Sequence, residues 1–280
     1  MAPETAIAVV IATRNAALTL DACLRSVLEQ RGADYQVVVV DGASTDGTVA
    51  LLERYGPWLS YWWSEPDQGL YDAWNKAIAC ATAEWILFIG ADDRLHGDDA
   101  LARMAPALSA SRERHRVVYG LLDLLGPSGQ VVTTIGLPWS DAKAGLREGI
   151  MLPHPATFHH RSLFDIHGPF DIRYRIAGDY EFLLRELLNH DALFVPERVT
   201  DMASGGMSDR AENDGLRVRE KWRARYAHGL TNTPEWRSPE VIRAMVYSWL
   251  VRRLGRGAAE RVRHAYRRIR DVTPARPWAR

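Results

Sequence analysis

The nine residues Trp85–Asp93, WILFIGADD, decide the fold of this sequence. Its five leading apolar residues predict a strand buried on both faces, as in a parallel sheet covered by helices. Gly90 and Ala91 let the chain leave the strand without bulk. Asp92 and Asp93 then stand at its carboxyl end, where open α/β sheets bind ligands. Two adjacent carboxylates repel each other, so we expect a cation or sugar hydroxyls beside them. The competing interpretation is that one of the two caps a following helix.

Upstream of this stretch, apolar strands alternate with amphipathic helices. The predicted strands are Ile7–Thr13, Gln36–Val40 and Leu59–Trp63, and the predicted helices are Leu18–Gln30, Thr48–Tyr55 and Leu70–Cys80. This alternation predicts an α/β fold in which a mostly parallel sheet is flanked by helices on both faces.

Downstream, the pattern becomes mixed. It predicts a helix at His96–Ser109, a hairpin of Val117–Leu124 and Gln130–Thr134, a helix at Asp179–Asn189, a strand at Leu193–Val199, and helices at Glu212–Tyr226, Pro239–Leu254 and Ala258–Arg270. Residues 137–178 are rich in Pro, His and Gly. We expect them to form an irregular substrate-binding face rather than part of the core.

The formal net charge of zero is a cancellation. From Val251 to Arg280 there are ten arginines against two acidic residues, so this tail carries +8. It favours binding to an anionic membrane surface as an amphipathic basic helix. Packing on the body with solvated arginines is the alternative, and no recognition motif supports nucleic-acid binding. No apolar run approaches the ~18 residues that span a bilayer. We therefore expect a cytoplasmic protein, peripheral on the inner membrane if the tail binds lipid.

Three predicted strands end in polar residues, namely Thr13, Asp41 and the pair Asp92 and Asp93. The carboxyl ends of parallel strands meet at one edge, so these side chains should converge there. A nucleotide suits that edge, because carboxylates accept hydrogen bonds from bases and riboses and can hold a divalent ion. A dinucleotide fold is disfavoured, since no G-x-G-x-x-G follows the first strand, and no G-x-x-x-x-G-K-[ST] occurs.

Several segments together resemble glycosyltransferase family 2, and within it bacterial enzymes that build O-antigen, colanic acid or capsule. They are ATRN at 12–15, VVVVDGASTDGT at 37–48, EPDQGLYDAWNKAIACATAEW at 65–85, FIGADD at 88–93, HPATF at 154–158 and GDYEF at 178–182. The resemblance implies a GT-A fold, a UDP-, dTDP- or GDP-sugar donor, Mg²⁺ or Mn²⁺, and inversion at the anomeric carbon. It also implies a saccharide acceptor that is lipid-linked.

The same resemblance implies roles for individual residues. Thr13, Asp41 and Asp92 resemble the family's base and ribose contacts, Asp93 its metal-binding residue and Asp179 its general base. Beside these we predict nucleotide contacts from Asn15 and Lys76, and a third metal ligand or a diphosphate contact from His154. Lys76 reads equally as part of a solvated helix face, and His154 as a structural loop histidine. Ala91 stands where many members carry another Asp, and no Q-x-x-R-W follows Asp179, which speaks against a processive synthase.

Physical chemistry supports separate places for the base and the metal. An inverting transfer needs one carboxylate to take the proton of the attacking hydroxyl, whereas the leaving diphosphate needs charge neutralisation. We divide the chain into a transferase domain at 1–208, with a nucleotide half at 1–110 and an acceptor half at 111–208, and a helical extension at 209–280. The alternatives are a sugar-nucleotidyltransferase, which would need a basic glycine-rich loop after the first strand, and a non-catalytic nucleotide-sugar-binding or scaffold protein.

Overall fold

A computed structural model describes residues 7–203, 211–258 and 260–261. The chain divides into two compact units, residues 1–204 and residues 205–280. The strands are β1 (Ile7–Thr13), β2 (Tyr35–Asp41), β3 (Tyr61–Ser64), β4 (Trp85–Gly90), β5 (Asp93–Leu95), β6 (Val117–Leu125), β7 (Val131–Ile135), β8 (Thr157–His160) and β9 (Leu193–Ala203). The helices are α1 (Leu20–Leu28), α2 (Thr48–Tyr55), α3 (Leu70–Cys80), α4 (Ala100–Ser111), α5 (Trp139–Arg147), α6 (Ser162–His167), α7 (Gly178–Leu187), α8 (Asp214–Ala227) and α9 (Pro239–Leu254).

The strands of the first unit join in one sheet with the order β3-β2-β1-β4-β8-β6-β9-β5, and β7 pairs with β6 at the side. The four strands β3, β2, β1 and β4 are parallel to one another. Beyond β4 the sheet is mixed, because β8 runs antiparallel to both β4 and β6 while β9 runs parallel to β6. The parallel half carries the predicted nucleotide edge.

Helices cover both faces of this parallel half. Ile7, Val9 and Ile11 of β1 share a buried apolar cluster with Leu24 of α1. On the other face, the ring of Trp74 in α3 lies 4.8 Å from that of Phe88 in β4. Strands covered on both sides have no polar face, which explains the uninterrupted apolar runs in the sequence.

Most predicted elements are confirmed, and β1, α2, α3 and α9 have the predicted bounds. The prediction for residues 137–178 is wrong. They contain α5, β8 and α6, and the side chains of Phe158, Leu163 and Phe170 are buried. Phe158 belongs to β8, which pairs on both sides within the sheet, so this segment supplies core as well as surface.

In the second unit, α8 and α9 pack closely. The Gly215 amide donates a hydrogen bond to Ser248 Oγ at 2.7 Å. A Cβ at Gly215 would lie 2.9 Å from the Cα of Met245, so a larger residue there would separate the helices. The tail beyond Arg261, including most of the helix predicted at 258–270, lies outside the described residues. Within the described ranges, no helix combines the length and apolar character needed to cross a bilayer.

Candidate active site

The carboxyl ends of the parallel strands lie side by side. The strand register places Thr13 opposite Asp41, Asp41 opposite Ser64, and Ala12 opposite Gly90. The structure therefore brings Thr13 and Asp41 together at one edge of the sheet. Asp92 lies two residues beyond the end of the neighbouring strand β4, and Asp93 begins β5.

Asp41 is fully buried at this edge and is held by hydroxyl and amide donors. Its carboxylate accepts hydrogen bonds from the Ser44 amide at 2.8 Å, from the Ser44 hydroxyl, and from the Ser64 hydroxyl at 2.6 Å. Thr13 is also buried, but its Oγ1 has no hydrogen-bond partner within the described residues. A buried hydroxyl without a partner is costly, so a ligand or water that reached it would stabilise the site.

Asn15 organises the loop that follows β2. Its φ of +50° places it in the left-handed region, which asparagine tolerates better than most residues. The Asn15 amide donates to Ser44 Oγ at 2.7 Å, and Asn15 Oδ1 accepts from the Thr45 amide at 2.9 Å. Ala43 in the same loop also has a positive φ, +56°. Backbone held in such conformations is concentrated at functional sites.

The acidic pair after β4 divides into an exposed and a buried carboxylate. Asp92 is exposed, whereas Asp93 is 4% exposed and accepts the Gly90 amide at 2.7 Å. A Cβ at Gly90 would lie 2.7 Å from Asp92 Oδ1 and 3.1 Å from Asp93 Oδ2, so both carboxylates fold back over this glycine. Burial, and then the charge of Asp92, raise the pKa of Asp93 to about 7.

A second acidic grouping was not predicted from the sequence. His96, Asp123 and Asp201 each place one ligand atom within 4.8 Å of the others. His96 Nδ1 lies 2.8 Å from Asp201 Oδ1, and Asp123 pairs with Arg198 at 2.9 Å while accepting from Thr134 Oγ1 at 2.5 Å. The Arg198 guanidinium already supplies a positive charge to this group, whereas no cationic side chain of the described residues pairs with Asp93.

Asp179 lies half-buried in the first turn of α7. Its Oδ1 accepts a hydrogen bond from the Tyr71 hydroxyl at 3.2 Å and from the Tyr180 amide at 2.8 Å. Burial, and then the charge of Asp179, raise the pKa of the Tyr71 hydroxyl well above its usual value, so that hydroxyl stays a donor. The Tyr71 ring lies against Gly178, where a Cβ would come within 2.7 Å of it.

Glu181, the nearest acidic neighbour of Asp179, is engaged elsewhere. Arg185 Nε lies 3.0 and 3.1 Å from its two carboxylate oxygens, a bidentate ion pair along α7. Lys76 likewise pairs with Glu65 at 2.8 Å and Asp72 at 3.4 Å. Its ammonium would have to leave these partners, at least in part, to meet a diphosphate.

His154 lies inside an aromatic cluster. Its ring stacks on Trp74 at 5.0 Å between centroids and lies 5.9 Å from Phe88. Burial lowers its pKa to about 3, so the imidazole is neutral near pH 7. Its Nε2 has no hydrogen-bond partner within the described residues. A neutral imidazole with a vacant nitrogen is chemically able to bind a metal or donate to a phosphate.

Comparison with known proteins decides the family. Residues 8–123 match the model of glycosyl transferase family 2. The chain is 33% identical over 261 residues to a PGL/p-HBAD biosynthesis glycosyltransferase of Mycobacterium bovis, covering 88% of this chain and 97% of that protein. It matches the Mycobacterium tuberculosis protein of the same name with the same identity and the same coverage. The chain belongs to glycosyltransferase family 2.

Solved structures confirm the GT-A fold of this glycosyltransferase. It superposes with a TM-score of 0.62 and 19% identity on S. aureus TarS 1-349 in complex with UDP-GlcNAc, covering 88% of this chain and 72% of TarS. It matches the mannosyltransferase PcManGT from Pyrobaculum calidifontis, in complex with GDP-Man and Mn2+, with the same TM-score and identity, covering 99% and 78%.

The end of β4 fits the divalent ion expected of this glycosyltransferase. Mg²⁺ and Mn²⁺ prefer oxygen ligands, and the two carboxylates gathered over Gly90 offer them. The raised pKa of Asp93 shows that its negative charge is poorly stabilised by the protein alone. A cation at this point would offset the repulsion between the two acids.

Some site contacts could not be found by sequence reasoning. The Tyr71 hydroxyl reaches an acid 108 positions away in the chain. Arg175 donates to the Gln68 carbonyl and so joins the segment before α7 to the loop after β3. Ser44 and Ser64, in contrast, follow or end predicted strands, and their position was a usable signal.

Proposed function

We propose that the chain is a metal-dependent, inverting glycosyltransferase that moves one sugar from a nucleoside-diphosphate sugar to a lipid-linked saccharide in surface polysaccharide biosynthesis. The observation that carries the proposal is the separation of two carboxylates with different partners. Asp93 lies buried at the nucleotide edge, while Asp179 begins α7 and meets a tyrosine hydroxyl. The reaction needs one carboxylate to hold the metal ion and another to take the proton of the acceptor.

At the donor side, Thr13, Asn15, Asp41 and Asp92 would bind the base and ribose. The hydroxyls and amides around Asp41 fix its carboxylate so that it can accept from the nucleoside without reorganising. Asp93 would hold Mg²⁺ or Mn²⁺, with His154 as a candidate ligand. A bound ion would neutralise charge on the leaving nucleoside diphosphate, and Lys76 would add a second positive charge there.

At the acceptor side, Asp179 would take the proton of the attacking hydroxyl. The hydroxyl oxygen forms its bond to the anomeric carbon while the bond to the diphosphate breaks on the opposite face, which inverts the configuration. Tyr71 fixes one oxygen of the base by donating to it. Glu181 is a poorer candidate because its carboxylate is already engaged in the ion pair with Arg185.

The names of the relatives and structural neighbours support the proposed class of donor. The mycobacterial relatives are named for PGL/p-HBAD biosynthesis, and the two structural neighbours bind UDP-GlcNAc and GDP-Man. We propose a UDP-, dTDP- or GDP-sugar as donor. We also propose that residues 1–208 form the transferase domain and that 209–280 form a helical extension whose basic end, 251–280, keeps a cytoplasmic protein near the inner membrane. Of that end, Arg252, Arg253, Arg256 and Arg261 are described, and all are exposed.

The decisive experiment replaces the proposed base. Asp179→Asn keeps the shape of the side chain but removes the basic oxygen, so transfer of a radiolabelled sugar should fall by about 10²–10⁴-fold. Nucleotide affinity should survive, because Asp179 lies on a different element from the nucleotide edge.

Glu181→Gln is the matched control on the same helix turn. It should keep transfer within a few-fold while lowering thermal stability through the lost ion pair with Arg185. Near-normal transfer by Asp179→Asn would refute the assignment, and a selective collapse in Glu181→Gln would move the role to Glu181.

A further inference from the structure

One side of α9 is already used within the second unit. Val241, Ser248 and Val251 are buried, and Ser248 accepts the Gly215 amide of α8. This side explains how α9 is held, but it accounts for a minority of the helix's apolar residues.

The face of α9 next to this packed side exposes an apolar stripe. Its members are Ile242, Met245, Val246 and Trp249, which are 49%, 39%, 52% and 58% exposed. Spacings of three and four residues place them on one face of the helix. An apolar surface that extends beyond the packed side of a helix is ordinarily covered as well, so this stripe marks a contact surface.

Arginines border the stripe. By helical spacing, Arg243 and Arg252 fall on its two flanks and Arg253 continues it towards the end of the helix, and all three are exposed. Glu240 is the acidic residue of α9, and the same spacing places it on the far side of the helix. The surface therefore combines an apolar centre that includes a tryptophan with a positively charged border.

We propose that this stripe docks on an anionic lipid surface. Tryptophan and aliphatic side chains enter the boundary between headgroups and acyl chains, while arginine stems lie along apolar surface and keep their guanidinium groups in the headgroup layer. A second copy of the chain is a poorer occupant. A symmetric contact would bring two sets of arginines to one interface, while Glu240 of each copy faces away. The inference deepens the proposed peripheral location and does not depend on the sugar that is transferred.

The test measures vesicle binding by the full-length chain, with no transferase reaction. Flotation with phosphatidylcholine vesicles, with and without phosphatidylglycerol, should show binding that requires the anionic lipid and weakens at high salt. Trp249→Ser should lower vesicle affinity by about tenfold, the effect of removing one large buried apolar side chain. Trp58→Ser is the matched control, since Trp58 is 64% exposed and belongs to the first unit.

A separate pair of variants tests the charged border. Arg253→Gln should lower affinity for anionic vesicles by about fivefold, corresponding to about 1 kcal/mol per basic residue near the surface. Arg31→Gln, at an exposed arginine of the first unit, should leave it unchanged. Equal flotation of Trp249→Ser and the wild type would overturn the proposal. So would self-association in sedimentation that disappears in Trp249→Ser without any vesicle binding, because the stripe would then join two copies. Every variant retains residues 262–280, so binding through that segment alone would leave all of them equal to the wild type.

Discussion

At the scale of single residues, the two neighbouring acids after β4 have opposite environments. Asp92 faces solvent, while Asp93 is buried with a raised pKa and one amide donor. A buried carboxylate at a nucleotide edge gains most from a cation, because it has lost most of its hydration. The side chain that is exposed is better placed to meet sugar hydroxyls.

This contrast predicts separable effects on nucleotide binding. Asp93→Ala should abolish the Mn²⁺-dependent part of nucleoside-diphosphate binding, while Asp92→Ala should weaken affinity and retain the metal dependence. Isothermal titration calorimetry with and without Mn²⁺ measures both. Asp201→Asn alters the grouping of His96, Asp123 and Asp201 and should leave metal dependence intact. The reverse pattern, with dependence lost in Asp201→Asn and kept in Asp93→Ala, would place the ion in that second grouping.

Tyr71 is the residue whose effect on the proposed base can be isolated. Tyr71→Phe removes the donor to Asp179 Oδ1 and keeps the ring that packs on Gly178. A general base acts only when its oxygen is held in line with the attacking hydroxyl, so loss of this positioning contact should lower kcat by about 10-fold, with donor KM unchanged. The acid limb of the pH–rate profile should move to higher pH, since the donor favours the charged form of the base.

Tyr180→Phe is the matched control for Tyr71. Tyr180 is equally buried and donates to the Leu146 carbonyl at 2.7 Å, so its loss removes a buried hydrogen bond without touching the carboxylate. It should lower stability and leave the pH–rate profile in place. A profile that shifts equally in both variants would reduce Tyr71 to a packing residue.

At the scale of secondary-structure elements, the sequence correctly predicted the strands and helices that have a clear local apolar period. β1 and α3 have their predicted bounds because the residues within each element form an uninterrupted apolar pattern of the right period. The same reasoning found the edge at which the polar strand ends meet, since parallel strands bring their carboxyl ends together in whatever order they pair. Thr13 and Asp41 are register partners for this reason.

Tertiary contacts decided what the patterns missed. The composition of 137–178 suggested surface, yet Phe170 packs 5.4 Å from both Trp74 and Phe88. Its burial comes from partners about 80–100 positions distant, which no local window contains. The contact of Tyr71 with Asp179 joins α3 to α7 in the same way. Long-range packing therefore placed the residues of the proposed acceptor side, whereas strand register placed those of the proposed donor side.

At the scale of the whole molecule, the core of the first unit contains two histidines whose protonation is unfavourable in the folded state. His154 and His159 are both buried, and burial lowers the pKa of each below its usual value. They occupy one aromatic cluster, with ring centroids 5.0 Å apart. A proton on either ring would place an imidazolium charge among the buried aromatic rings of Trp74, Phe88 and Phe182.

This arrangement predicts that acid destabilises the fold well above the pKa values of carboxylates. The pKa of His154 is about 3 when folded and near 6.5 when unfolded, so below pH 6.5 the unfolded chain binds a proton that the folded chain refuses. Through His154, the free energy of unfolding is therefore at its full value above pH 6.5 and decreases as the pH falls towards 3. At pH 5, His154 alone should lower the free energy of unfolding by about 2 kcal/mol, from about 1.4 kcal/mol per pH unit.

Urea unfolding at pH 7 and pH 5 measures this difference. His154→Phe, which preserves a planar ring against Trp74, should reduce it, and His190→Gln, at a histidine side chain that is 55% exposed, should not. An equal pH dependence in the wild type and His154→Phe would show that this histidine is protonated in the folded state.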